Sequence, residues 1–250
     1  VTDSVRIIQP SCTALVLNMS AVNVSCFSGS NGSASASLLF GTAPYSYVWN
    51  STPAQSTSAI TALPMGTVSV VVTDAVNCVL SNTITITEPT VLTLTLVATD
   101  VVCNGDDDGT LNLTVGGGTF PYTYAWSNSI TVEDQANLAN GFYGVTVTDA
   151  QGCTAVTSAT INEPAAISAI SSHINVTCKN GSDGSVNAMV SGGITPYTYA
   201  WSHGPTTEDV TGLASGQYTL SVTDANGCNN PLTLNLFINE PDSVDLDTFT

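Results

Sequence analysis

Apolar and polar residues alternate one for one along most of this chain, as in Leu92-Thr-Leu-Thr-Leu96, Leu111-Asn-Leu-Thr-Val115, Tyr122-Thr-Tyr-Ala-Trp126, Tyr143-Gly-Val-Thr-Val147 and Thr160-Ile-Asn162. A period of two sends successive side chains to opposite faces, so these runs predict half-buried β-strands and not helices. Between them stand residues that suit turns: Gly116-Gly-Gly ahead of Pro121, Asn140-Gly141 and Gln151-Gly152. Six or seven short strands separated by such turns predict an all-β, antiparallel β-sandwich.

The pattern recurs. Trp49, Trp126 and Trp201 are 77 and 75 residues apart, and Glu88-Pro89, Glu163-Pro164 and Glu240-Pro241 are 75 and 77 apart. Cys26, Cys103 and Cys178 keep the same step, as do Cys78, Cys153 and Cys228. The chain therefore divides into three modules of about 75 residues, at 11–89, 90–164 and 165–241. Residues 1–10 end a preceding segment and 242–250 start a following one. Pro fixes φ and forces the residue before it into an extended form, so each Glu-Pro predicts a stiff linker. Bridging of Ca²⁺ by these glutamates, in the manner of cadherins, is the other role open to them.

A Trp on the third strand resembles the buried tryptophan of immunoglobulin-like sandwiches. Leu138-x-x-Gly141-x-Tyr143 and Leu213-x-x-Gly216-x-Tyr218 resemble a tyrosine corner, whereas the first module has Val68 in place of the tyrosine. The expected fold is thus a set of tandem immunoglobulin-like sandwich modules arranged as a rod.

Larger motifs carry a family resemblance. Cys103-Asn-Gly-Asp-Asp-Asp-Gly109, Gly117-Gly-Thr-Phe-Pro-Tyr-Thr-Tyr-Ala-Trp126, Gly141-Phe-Tyr-Gly-Val-Thr-Val-Thr-Asp-Ala-Gln-Gly-Cys153 and Ile161-Asn-Glu-Pro164 together resemble the SprB repeat of the long gliding-motility adhesins of Bacteroidota. The third module matches with Cys178-Lys-Asn-Gly-Ser-Asp-Gly184, Gly192-Gly-Ile-Thr-Pro-Tyr-Thr-Tyr-Ala-Trp201 and Val222-Thr-Asp-Ala-Asn-Gly-Cys228. The first matches less fully, with Cys26-Phe-Ser-Gly-Ser-Asn-Gly32 and Val72-Thr-Asp-Ala-Val-Asn-Cys78. The resemblance implies an extracellular, cell-surface chain exported by type IX secretion. Such a chain serves adhesion or gliding motility by moving along the cell or holding a binding tip away from it.

Seven cysteines in an all-β chain with no CxxC pair point to disulfides in an oxidising compartment and away from zinc. Within-module pairs Cys26 with Cys78, Cys103 with Cys153 and Cys178 with Cys228 give separations of 52, 50 and 50. Sequential neighbours give 14, 25 and 25, which is not one repeated geometry, so the within-module set is favoured. Cys12 is then left unpaired. In a strict seven-strand sandwich, however, the loop between the first two strands (A–B) and the loop between the last two (F–G) lie at opposite poles. The favoured pairing therefore requires a missing strand or a different path for the first one.

Charge narrows the function further. Two Lys plus Arg against 19 Asp plus Glu give a net charge of −17, which rules out the basic footprint that nucleic acid requires. Ser, Thr, Asn and Gly break every apolar run short of membrane-spanning length, so no membrane insertion is expected. Asp106, Asp107 and Asp108 crowd one loop, and a bond from Cys103 to Cys153 would draw Asp149 toward them, making these four the candidate calcium ligands. Asp149 and its counterparts Asp74 and Asp224 also suit turns that bond their own backbone. His173 and His203 each occur in a single module, and Glu133-Asp134 and Glu208-Asp209 are strand neighbours that point apart, so no catalytic site is expected. Tyr122, Tyr124 and Trp126 share one face, as do Tyr45 with Tyr47 and Tyr197 with Tyr199. Packing into the core is expected of them, with a polysaccharide-stacking platform as the alternative.

Overall fold

The computed structural model describes residues 12–51, 53–228 and 232–242. The segment read as 1–10 and residues 243–250 of the one read as 242–250 lie outside the described residues. Within them there are eighteen strands, one short 3-10 turn at Cys12–Ala14 and no α-helix.

Six strands recur three times. The first set is β1 Val16–Val22, β2 Gly32–Leu39, β3 Ser46–Trp49, β4 Ala59–Leu63, β5 Gly66–Thr73 and β6 Val79–Ile86. The second is β7 Thr93–Thr99, β8 Gly109–Gly116, β9 Thr123–Trp126, β10 Gln135–Leu138, β11 Gly141–Thr148 and β12 Thr154–Ile161. The third is β13 Ser168–Ile174, β14 Gly184–Ser191, β15 Thr198–Trp201, β16 Val210–Leu213, β17 Gly216–Thr223 and β18 Leu232–Ile238. Each set makes two three-stranded sheets: first, second and fourth strands in one, third, fifth and sixth in the other. This is an immunoglobulin-like order with a single strand between the tryptophan strand and the tyrosine-corner strand.

The fold separates into two compact units, and each is described by itself. One holds Val1–Leu96, Leu113–Glu133 and Gly144–Ser158; the other holds Val97–Asn112, Asp134–Tyr143 and Ala159–Thr250. The division crosses the strands of the middle repeat, part of which groups with the first repeat and part with the third.

In the first unit, alternate residues of β2 and β5 (Ala34, Ala36, Leu38, Val70 and Val72) meet Trp49, Ile60, Leu63 and Ile86 in one core. The intervening Ser35, Ser37 and Val71 face outward, which is the half-buried pattern that period-two alternation produces. In the second unit Val186, Ala188, Trp201, Val210, Leu213, Leu220, Val222 and Ile238 form the equivalent core. The corresponding residues of the middle repeat, among them Leu111, Trp126, Val145 and Ile161, are buried too.

Two local devices recur. Gly32, Gly109 and Gly184 open the second strand of each repeat, where a Cβ would stand 2.8 Å from the carbonyl oxygens of Leu63, Leu138 and Leu213. Only glycine lets those backbones approach, and the pairing with the fourth strand shifts register at that point. The tyrosine corner is also present, with the Tyr143 hydroxyl donating to Ala139 O and the Tyr218 hydroxyl to Ala214 O, each at 3.0 Å.

Candidate functional site: the cysteine loops at the two poles of each repeat

Each repeat carries a cysteine in its A–B loop and one in its F–G loop, the first repeat having Cys12 in addition, and each of these loops is held by side-chain oxygens bonded to backbone N–H groups. At the A–B pole the anchor is the glutamate of the exit Glu-Pro. Ser28, Gly105 and Asn180, each two residues past the cysteine and each at positive φ, donate their N–H to Glu88 Oε2 (2.6 Å), Glu163 Oε2 (2.8 Å) and Glu240 Oε2 (2.9 Å). Asn31 Oδ1, Asp108 Oδ1 and Asp183 Oδ1 accept from the N–H of Ser25, Val102 and Thr177, each at 3.0 Å. Asn23, Asp100 and Asn175 accept from the N–H of Thr87, Asn162 and Asn239, the residue before each exit glutamate. The exit segment is thereby clamped to the loop that holds the cysteine.

At the F–G pole the anchor is an aspartate. Asp149 Oδ1 accepts from the N–H of Gln151 and Cys153 and Oδ2 from Thr119, all at 2.9 Å. Asp74 does the same with Val76, Cys78 and Thr42, and Asp224 Oδ2 takes the Ile194 N–H at 3.0 Å. The turn role read for these aspartates is seen at Asp74 and Asp149, whereas Asp224 Oδ1 has no hydrogen-bond partner among the described residues.

Two of the three disulfides connect one repeat to its neighbour, and the third closes within the first repeat. Cys26 bonds Cys153 and Cys103 bonds Cys228, with Cα–Cα distances of 5.7 Å, while Cys12 bonds Cys78 at 5.6 Å. Cys178 is free and exposed. This corrects the within-module set of Cys26 with Cys78, Cys103 with Cys153 and Cys178 with Cys228, and it corrects the reading of Cys12 as unpaired. The reason is the one the strand order contains. The A–B and F–G loops lie at opposite ends of the eight-residue fifth strand, roughly 25 Å of extended chain, and a disulfide spans no more than about 7 Å between Cα atoms. Between Cys103 and Cys228 a hydrogen bond accompanies the sulfur bridge, as Asn226 Nδ2 donates to Val102 O at 2.7 Å.

The acidic candidates are not gathered into a metal cluster. Among the described residues no three His, Cys, Asp or Glu side chains are grouped to hold an ion. Asp106, Asp107 and Asp108 are exposed, Asp108 holds the Val102 N–H, and Asp149 binds its own turn. Glu88, Glu163 and Glu240 hold loops within their own repeats, which accounts for them without a bridging ion. Of the paired carboxylates, Asp209 receives Ala188 N–H at 2.9 Å and Asn187 Nδ2 at 3.1 Å, closing part of the β14 edge. His203 lies edge-on to Tyr218 with ring centroids 4.8 Å apart, while His173 is exposed on β13. Trp49, Trp126 and Trp201 are buried, their indole N–H groups donating to Thr57, Val132 and Thr207 carbonyls at 2.9 Å. Tyr45, Tyr47, Tyr197 and Tyr199 pack half-buried against the cores, and Tyr122 and Tyr124 are half-buried as well.

Burial disfavours the charged form of Asp74 and Asp149, yet the backbone N–H groups around each outweigh it and hold both carboxyls below the usual Asp range. Asp183 is held low by the Thr177 hydroxyl and N–H. Native carboxyls with lowered pKa bind fewer protons than the unfolded chain, so their stabilisation is complete above about pH 4 and is lost as pH falls through the lowered native values. The thermal midpoint is expected to stay level from pH 7 to about pH 5 and to fall below about pH 4. A midpoint level down to pH 2 would remove these bonds from the account of stability.

The Asn/Asp anchors escaped the reading of the sequence, although their signal was present. Asn31, Asp108 and Asp183 precede a glycine at the same 77 and 75 residue steps as the cysteines.

Comparison with known proteins follows this geometry. A family model described as SprB repeat matches residues 18–53, 95–131 and 173–206, one segment in each repeat. Solved structures with similarity to the chain include Sidekick-1 immunoglobulin domains 1–5, at 11% identity and TM-score 0.38 over 90% of this chain and 58% of that one. The mouse nectin-like molecule 4 ectodomain, Ig1–Ig3, gives 10% and 0.37 over 92% and 96%, and Drosophila OTK extracellular domains 3–5 give 10% and 0.32 over 90% and 92%. The chain spans 58% of the Sidekick-1 structure and 34% of a DSCAM eight-domain structure. No curated protein matches the chain in sequence. At these scores the fold assignment rests on the strand order itself.

Proposed function

Because this chain carries three SprB repeats, one in each six-strand set, we propose that it is a non-catalytic stalk segment of a large extracellular adhesin or surface filament serving adhesion or gliding motility. The observation that carries the reading is the connectivity of two disulfides, Cys26–Cys153 and Cys103–Cys228, each of which ties the A–B loop of one repeat to the F–G loop of the next. A catalytic or ligand-capturing domain has no need of that arrangement. A strand of repeats that must transmit force does, since it joins neighbours by covalent bonds in addition to the linker. The three disulfides fit an oxidising compartment, and the family resemblance suggests export by type IX secretion. A net charge of −17 opposes lateral association of such strands and disfavours nucleic acid as a partner.

The test is equilibrium binding of the oxidised chain to a panel of surface polysaccharides, with calcium and again with chelator. The expected result is no saturable binding in either condition, which assigns adhesion to another part of the adhesin. Saturable, selective binding would replace the stalk reading with an array that captures polysaccharide, and its loss on chelation would point to the Asp106–Asp108 loop as a calcium site.

A further inference from the structure

We infer that the A–B pole of the third repeat is the docking surface for a further repeat of the same kind, continuing the chain beyond Pro241, whose F–G cysteine bonds Cys178. The inference rests on the observed junctions and not on the stalk reading.

Cys178 is free and exposed, whereas its two equivalents are not free: Cys26 bonds Cys153 and Cys103 bonds Cys228. All that prepares those two loops for a partner is present around Cys178. Glu240 Oε2 receives the Asn180 N–H at 2.9 Å, Asp183 holds Thr177 through both its N–H at 3.0 Å and its hydroxyl at 2.6 Å, and Asn175 holds the exit strand at 2.9 Å. Val176 lies 4% exposed beneath, as Val24 and Val101 do at 3% and 4% in the occupied poles. The loop is therefore set in the geometry that its equivalents use, with its thiol unspent.

Two features identify the occupant. All three F–G cysteines of this chain, Cys78, Cys153 and Cys228, are already bonded, so a second copy has none to offer. The sequence Pro241-x-x-Val244-x-Leu246 repeats the spacing of Pro89-x-x-Leu92-x-Leu94 and Pro164-x-x-Ile167-x-Ala169, which open the second and third repeats. Bond formation is a two-electron oxidation by a disulfide. The Cys178 thiolate attacks the disulfide oxidant and expels one thiolate, and the incoming cysteine thiolate displaces the second, so that one S–S bond forms and the oxidant leaves as two thiols, the expelled thiolates taking up the two protons that the cysteines release.

The experiment duplicates residues 165–241, with the copy's own A–B cysteine changed to serine, directly behind Pro241 in the full chain, oxidises it with a glutathione disulfide buffer, and follows maleimide labelling and non-reducing peptide mapping. In the parent chain Cys178 is expected to label fully. In the extended chain its labelling should fall at least tenfold, with its peptide linked to the F–G cysteine of the added repeat, and that cysteine changed to serine should restore labelling. Full labelling of Cys178 in the extended chain, or disulfide dimers of the parent through Cys178, would overturn the assignment. Should the added repeat fail to fold, Cys12→Ser in the parent frees Cys78 as an F–G cysteine. Head-to-tail multimers mapped to Cys178–Cys78, absent from the Cys12→Ser/Cys178→Ser chain, support the docking, and a Cys178 that stays free at saturating chain concentration overturns it.

Discussion

Held by its ends under oxidising conditions, the chain is expected to reach no more than about 90 Å of backbone between Cys12 and Cys228, whatever force is applied short of breaking a covalent bond. The shortest covalent route crosses from Cys12 to Cys78, follows 25 residues to Cys103 and crosses to Cys228. Reduction opens all 216 residue steps between those cysteines, and the stretched length rises to about 750 Å at roughly 3.5 Å per residue. Two double substitutions separate this account from a general stiffening by disulfides. Cys103→Ser with Cys228→Ser moves the route to Cys12, Cys26, Cys153 and Cys228, which has 14 plus 75, or 89, residues and reaches about 310 Å. Cys26→Ser with Cys153→Ser leaves the 25-residue route and the limit unchanged. Single-molecule stretching reads these lengths directly, and successive extension steps of whole repeats in the oxidised parent chain would refute the connectivity.

Trp201→Ala is expected to destabilise the third repeat by about 3–5 kcal/mol, enough to unfold a marginal domain. The indole is 5% exposed in a core with Val186, Leu220 and Val222, and its N–H donates to Thr207 O at 2.9 Å. Alanine leaves both a cavity and an unpaired carbonyl. Trp201→Phe retains most of the ring and loses the donor, so a smaller loss of about 1–2 kcal/mol is expected. Denaturant midpoints give the comparison, and equal losses for the two variants would show that ring volume carries none of the effect.

The alternation of Thr and Val, the 75-residue step and the tryptophan and tyrosine-corner motifs were legible because each is a local consequence of a strand having two faces. Tyr143 and Tyr218 bond the carbonyls four residues upstream, a contact that sequence spacing alone fixes. The partners of the cysteines were not legible in the same way. Spacing measures the length of a loop, whereas pairing depends on which pole each loop reaches, and Cys153 reaches a residue 127 positions away. The aspartates were ambiguous for a related reason. Asp149 in a polar turn and Asp149 as a metal ligand have the same sequence signature, and only its three backbone donors distinguish the two. A glutamate before proline likewise reads as a linker residue until the Gly105 N–H is seen pointing at Glu163.

The three disulfide loops overlap: Cys12–Cys78 runs past Cys26, and Cys26–Cys153 runs past Cys103, which opens the loop to Cys228. Every peptide bond from Cys12 to Cys228 therefore lies inside at least one closed ring. A protease that nicks this stretch once, for example at the exposed Lys179, leaves both pieces joined, and parting Cys12 from Cys228 takes three cuts, one of them between Cys78 and Cys103. Damage must accumulate before it severs anything.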